Sequence, residues 1–227
     1  MGLLNLGSTR VTPRRMGRLR RDRLITAIRV SARASTLVWF RAAKGGADVR
    51  RVVLVLGFAD WTSTIVACGG ASAGSGLDTW DAKAGSTITT EWNTWPESHQ
   101  GSITDWAAAC PASGCDGVEA AGLGWFKIHE ENWNGASWPT VDLITKNNLK
   151  HSFKIPSTLP DGDYLIRHEL LAMHTVGMPQ VYPVCAQFAI TGGSGSLPSD
   201  TVTFPASYDI NPGALAERGC GAMWARS

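Results

Sequence analysis

Five histidines fall at positions 99, 129, 151, 168 and 174, and none precedes residue 99. His168 to His174 reads HELLAMH, which invites comparison with the HExxH pattern that places two zinc ligands one helical turn apart. The comparison fails, because the separation here is six and the run begins Tyr164-Leu165-Ile166, which reads as a strand. On a strand an even separation puts His168 and His174 on one face, and such a run alone does not make a metal site. On its C-terminal side come His174, Gln180 and Tyr182, followed by Pro183 and Cys185. An imidazole, an amide and a phenol so close in sequence can form a polar cluster beside a metal or substrate, though taken alone they are expected to be a satisfied group of buried hydrogen bonds. His99 stands in a Pro- and Gly-bounded loop, Trp95-Pro96-Glu97-Ser98-His99-Gln100-Gly101-Ser102, and taken alone a loop histidine carries no function. Asp105, Glu130, Glu131 and Glu169 offer no pair of placed carboxylates of the kind a hydrolytic glycosidase needs.

The elements that must position these residues read as β-structure. Beyond residue 60, short runs of β-branched and aromatic residues are separated by Gly, Pro, Ser and Asp clusters. Strands are expected over Ser86 to Trp92, Leu123 to Ile128, Ser152 to Ile155, Asp163 to Met173 and Val181 to Thr191, each bounded by a turn signal such as Pro160-Asp161-Gly162 or Gly192-Gly193. Short helical turns are expected at Asp105 to Cys110 and Trp138 to Lys146, and a loop at Gly192 to Ser199. Strands at this spacing indicate a sandwich or barrel.

Charge divides the chain. Residues 1 to 51 hold 13 of the 21 Lys and Arg but only Asp22 and Asp48 of the acids. The remainder carries 8 basic and 17 acidic residues, a balance of −9, behind a basic leader. A nucleic-acid partner would have to rest on that leader alone, so none is expected. No stretch approaches the roughly 18 apolar residues of a membrane span, and no membrane partner is expected. The Arg-rich start does not read as a secretory signal, since Arg residues recur from Arg10 to Arg33. Residues 1 to 56 are left unassigned, and a single domain is expected over 57 to 227.

The five cysteines are Cys68, Cys110, Cys115, Cys185 and Cys220. Cys110 and Cys115 are the one close pair, which matches no zinc pattern. Two disulfides with one thiol left over would place the chain in an oxidising compartment; five reduced core cysteines are the other reading. Ten Trp in this length suit flat recognition surfaces, sugars included.

Several segments together resemble the fungal lytic polysaccharide monooxygenases of auxiliary activity family nine, formerly glycoside hydrolase family sixty-one. They are EWNTWPESHQGSITDW, GWFKIHE, IPSTLPDGDYLIRHELLAMH, PQVYPVCAQFAITGGSG and, near residue 211, DINPG. The resemblance runs from about Gly57 to Gly213. It implies an all-β fold, an immunoglobulin- or fibronectin-III-like antiparallel β-sandwich with long loops, and a flat copper site with one ion per domain. His99 corresponds to the family's internal copper-ligating histidine, Tyr182 to the axial tyrosine, and His174 and Gln180 to groups that hydrogen-bond the oxygen species. Cys68 would pair with Cys185 and Cys110 with Cys115, leaving Cys220 free.

The implied activity is oxidative cleavage of cellulose or related β-1,4-glucans by a secreted, extracellular monomer, fed by an external electron donor and by dioxygen or peroxide. Nitrogen ligands with a weak axial oxygen suit copper(II). The family's mature chains begin with a histidine whose amine and ring supply two further nitrogens, whereas this chain begins with Met1. The expectation is therefore a misassigned start, the alternative a copper-deficient relative, and a chain beginning at Met1 is expected to bind copper weakly. A non-catalytic carbohydrate-binding or cell-wall protein on the same sandwich is the competing function.

Overall fold

A computed structural model of the protein describes residues 36–44, 47–55, 57–69 and 79–208. Within these, nine strands form two sheets. The four-stranded sheet has the order β2 (Ala47–Val55), β1 (Thr36–Lys44), β4 (Thr87–Trp92), β7 (Lys150–Lys154). The five-stranded sheet has the order β3 (Thr79–Lys83), β9 (Gln180–Thr191), β8 (Gly162–Ala172), β5 (Ile103–Ala109), β6 (Trp125–Glu131). One α-helix, α1 (Pro139–Thr145), precedes β7, with Pro139 in its first turn, where a missing N–H costs nothing.

The strand pattern follows side-chain alternation. In β4 the inward positions are Ile88, Thr90 and Trp92, in β7 His151 and Phe153, in β3 Trp80 and Ala82. These meet Ile166, Leu170, Val184, Ala186 and Phe188 of the larger sheet in one core between the layers, the arrangement of a β-sandwich. A second core lies on the outer face of the larger sheet, where Leu165, Leu171, Val181, Cys185 and Trp125 are covered by Trp61, Val66, Ala67 and Phe204.

Covering on both faces explains one correction. Ile103–Ala109 is a strand of the larger sheet, whereas a helical turn was expected at Asp105 to Cys110. Five of its seven residues are buried, on both faces of the sheet, so the alanine-rich stretch shows no alternation to read. The strands expected at Ser86, Leu123, Ser152, Asp163 and Val181, and the helix near Trp138, are present with ends shifted by one to three residues.

Two strands lie before the boundary expected at residue 57. β1 is a central strand, paired with β2 on one side and β4 on the other, and its Val38 and Phe40 are fully buried. The surrounding Arg and Lys masked this alternation in the sequence. The basic segment from Met1 to Ser35 and the leftover Cys220 lie outside the described residues.

All pairings are antiparallel except that of β3 with β9, which is parallel, Thr79 lying opposite Gln187 and Lys83 opposite Thr191. Two strands so far apart in sequence need no hairpin, so either direction is open to them. Both expected disulfides are formed, Cys68–Cys185 spanning 117 residues and Cys110–Cys115 spanning 5. On the same outer face, Arg167 is fully buried. Its Nε donates to Ala67 O at 2.8 Å, one terminal nitrogen to Val66 O at 3.0 Å, and the group also pairs with Glu169 and the Tyr208 hydroxyl.

Candidate metal centre

The loop after β4 carries Trp95 and His99 and runs back along the C-terminal end of β8. Two backbone hydrogen bonds dock it there, from Leu171 N to Ser102 O at 2.9 Å and from Met173 N to Gln100 O at 2.8 Å. Gly101 makes the approach possible, because a Cβ there would lie 1.8 Å from the Leu171 carbonyl oxygen. Thr140 of α1 fixes the same glycine from the other side, its hydroxyl accepting from Gly101 N at 2.7 Å and donating to Gly101 O at 3.1 Å. The loop also closes on itself through Trp95 Nε1, which donates to His99 O at 2.9 Å.

This docking brings together residues from three stretches of chain. The His99 and His174 rings stack, with centroids 3.8 Å apart and planes 12° from parallel. Tyr182, from the start of β9, has its ring centre 6.0 Å from that of His99 and 4.8 Å from that of Trp95. Its hydroxyl donates to Gln180 Oε1 at 2.7 Å. Trp95 is buried beneath, edge-on to His99 at 5.6 Å. Gly57 lies against the phenol, where a Cβ would fall 2.4 to 2.7 Å from its ring and hydroxyl atoms.

The electrostatics favour uncharged groups. Partial burial, and secondarily the neighbouring His174, lower the pKa of His99, which favours the neutral imidazole with its free lone pair. Burial raises the pKa of Tyr182, so the phenol keeps its proton. An imidazole nitrogen with a phenolic oxygen, flanked by a second imidazole and a carboxamide, is a donor set that fits copper(II) better than calcium or magnesium.

All four residues singled out from the sequence around this site, His99, His174, Gln180 and Tyr182, are neighbours. Trp95 and Gly57 were not foreseen. Trp95 gave no signal beyond its presence in the loop, and Gly57 none at all. His168 does not share the site: β8 ends at Ala172, and His174 has left the strand while His168 points into the core.

His168 belongs instead to a second cluster, between the sheets. Asp105, fully buried, accepts from His168 Nδ1 at 2.7 Å through one oxygen and from His151 Nε2 at 2.9 Å through the other. Trp92 Nε1, which can only donate, points at His168 Nε2 at 3.1 Å, so the His168 proton is on Nδ1. Burial opposes charge on Asp105, but the attraction of His168 and the two donors outweigh it and hold its pKa below the usual carboxylate range. Towards solvent, Glu131 Oε1 lies 3.2 Å from His129 Nε2 and 3.7 Å from His151 Nδ1. Asp105, Glu130, Glu131 and Glu169 thus serve ion pairs and hydrogen bonds.

Residues 32–217 match the family model described as Auxiliary Activity family 9 (formerly GH61). AA9 family lytic polysaccharide monooxygenase D of Geotrichum candidum is 38% identical over 161 residues, which cover 69% of this chain and 49% of that protein. The crystal structure of HiLPMO9B superposes with a TM-score of 0.66 at 30% identity, covering 76% of this chain and 85% of that one. A cellulose-active polysaccharide monooxygenase from M. thermophila superposes with a TM-score of 0.60 at 30% identity, covering 76% and 85%. The chain spans about half the length of the first curated relatives it matches. With the sandwich, both disulfides and the His99–His174–Tyr182 cluster in place, the family match over residues 32–217 establishes that this chain belongs to auxiliary activity family 9, the lytic polysaccharide monooxygenases.

Proposed function

We propose that the protein is a secreted, copper-dependent monooxygenase that cleaves cellulose or a related β-1,4-glucan by oxidation. The observation that carries this reading is the convergence of His99, His174, Gln180 and Tyr182 from three separate stretches of chain onto one solvent-facing site. Ser98 Oγ lies 3.1 Å from His99 Nδ1, which leaves Nε2 as the nitrogen that would hold copper, with the Tyr182 hydroxyl as the oxygen that would help to hold it. Bound copper supplies one-electron chemistry that, with an external electron donor, turns dioxygen or peroxide against a sugar C–H bond.

The chain's own residues do the rest. Gln180 orients the Tyr182 hydroxyl by accepting its hydrogen bond at 2.7 Å. His174, exposed and stacked on His99, is placed to hold or give up a proton at the solvent side. Trp95 closes the floor and excludes water from beneath His99. Val176 and Met178, exposed in the loop that follows His174, offer apolar contact beside the site for a flat sugar face. Two disulfides support an extracellular location. Among the described residues, no helix is long and apolar enough to cross a membrane.

The test is made on the protein as its host secretes it. Mass spectrometry of cellulose incubated with the copper-loaded protein and a reductant is expected to find oxidised oligosaccharides, and His99→Ala is expected to abolish them. A protein that binds no copper, or whose products are unchanged by His99→Ala, would overturn the reading in favour of a non-catalytic sugar-binding role.

A further inference from the structure

The inter-sheet cluster has the makings of a second metal site. Ligand atoms of Asp105, His129 and His151 lie within 4.8 Å of one another. The three residues come from β5, β6 and β7, and β6 and β7 are the outer strands of opposite sheets. Their imidazoles face each other across the open edge of the sandwich, with ring centres 5.1 Å apart.

Proton placement decides which atoms are available. Ionised Asp105 can only accept, so His151 Nε2, 2.9 Å from its Oδ2, carries the proton. The lone pair of a neutral His151 is then on Nδ1, the nitrogen turned to Glu131 Oε1 at 3.7 Å, and the same oxygen meets His129 Nε2 at 3.2 Å. Neighbouring ligand atoms around a tetrahedral zinc with bonds of about 2.0–2.1 Å are about 3.3–3.4 Å apart. The two observed separations bracket that value. A buried carboxylate behind a metal-binding histidine, fixing its tautomer and orientation, is the outer support such sites use.

We propose that His129 Nε2, His151 Nδ1 and Glu131 Oε1 form a binding site for a divalent zinc-like cation, with Asp105 holding His151 from behind. The ion would tie the two sheets together at their open edge, apart from the His99 site. Its fourth position would be taken by water, since Glu131 and His129 are partly exposed.

Zinc alone is the probe. In a His99→Ala background, which removes the other site, isothermal titration is expected to find one zinc per chain and thermal unfolding to shift upward with zinc. Adding His129→Ala or Glu131→Gln, both at partly exposed positions and therefore tolerated by the fold, should weaken zinc at least tenfold and remove the thermal shift. Asp105→Asn should weaken it roughly 10- to 100-fold. Cobalt(II) in the same background should give the intense visible bands of a tetrahedral ion. No zinc uptake by the His99→Ala protein, or uptake unchanged by both His129→Ala and Glu131→Gln, would overturn the proposal.

Discussion

The two histidine clusters are held by opposite means. His99 and His174 stand on loops and are positioned by ring faces, with Trp95 beneath and Tyr182 beside them. His151 and His168 stand on strands and are positioned by a buried carboxylate that accepts from both. Ring contacts fix where an imidazole lies but not which nitrogen carries the proton. Carboxylate contacts fix both. The first arrangement suits a metal whose coordination must change during reaction, and the second suits a role in which nothing moves.

The loop-borne cluster depends most on a remote support, so the largest effect is expected there. Cys185 lies three residues beyond Tyr182 on β9 and is bonded to Cys68. Opening that loop of 117 residues by Cys68→Ser with Cys185→Ser is expected to destabilise the fold by about 5 kcal/mol, against about 2 kcal/mol for the loop closed by Cys110–Cys115. Urea unfolding of the two double variants checks the order. Equal losses would show that the loop-borne site does not lean on the longer bridge.

Next comes the strand-borne cluster. Asp105→Ala leaves two buried imidazoles without their acceptor and is expected to cost about 3 kcal/mol, whereas His174→Ala, at an exposed ring, should cost under about 0.5 kcal/mol. A comparable loss from the two in chemical denaturation would erase the distinction drawn here.

For metal binding the ranking reverses. His99→Ala is expected to weaken copper(II) at least 100-fold, about 2.7 kcal/mol, and to remove its electron paramagnetic resonance signature, while His168→Gln leaves that signature in place. The smallest effect is expected from Tyr182→Phe. It removes the phenolic oxygen proposed to help hold copper and the bond to Gln180, and should lower copper affinity only a few-fold by titration, with stability within about 1 kcal/mol.

How much of this could be read beforehand depended on locality. β4, β7, β8 and β9 were legible because turn residues bracket each one and because β4 and β7 alternate along their length. β5 was misread because it is buried on both faces, and β1 was missed because charged neighbours hid the inward Val38 and Phe40. His99, His174, Gln180 and Tyr182 could be named one by one from the resemblance. Their meeting could not be seen without the close approach of Gly101 to Leu171. The Asp105–His151–His168 group gave no signal at all, since it joins strands separated by 46 and 63 residues and exists only as a register between two sheets.

The parallel pairing of β3 with β9 governs the order in which the chain can assemble during synthesis. Thr79 hydrogen-bonds to Gln187 across 108 residues, and among the described residues no strand nearer in sequence pairs with β3 in its stead. Until Thr191 leaves the ribosome, Trp80 and Ala82 have no partner strand, and β8 lacks the neighbour to which it contributes eleven paired positions. Contacts of such range make folding slow and leave apolar strands open to association in the meantime. Chains released before β9 is complete are therefore expected to aggregate rather than persist as soluble partial sandwiches, and the yield of folded protein should be sensitive to the pace of translation through Gln180–Thr191.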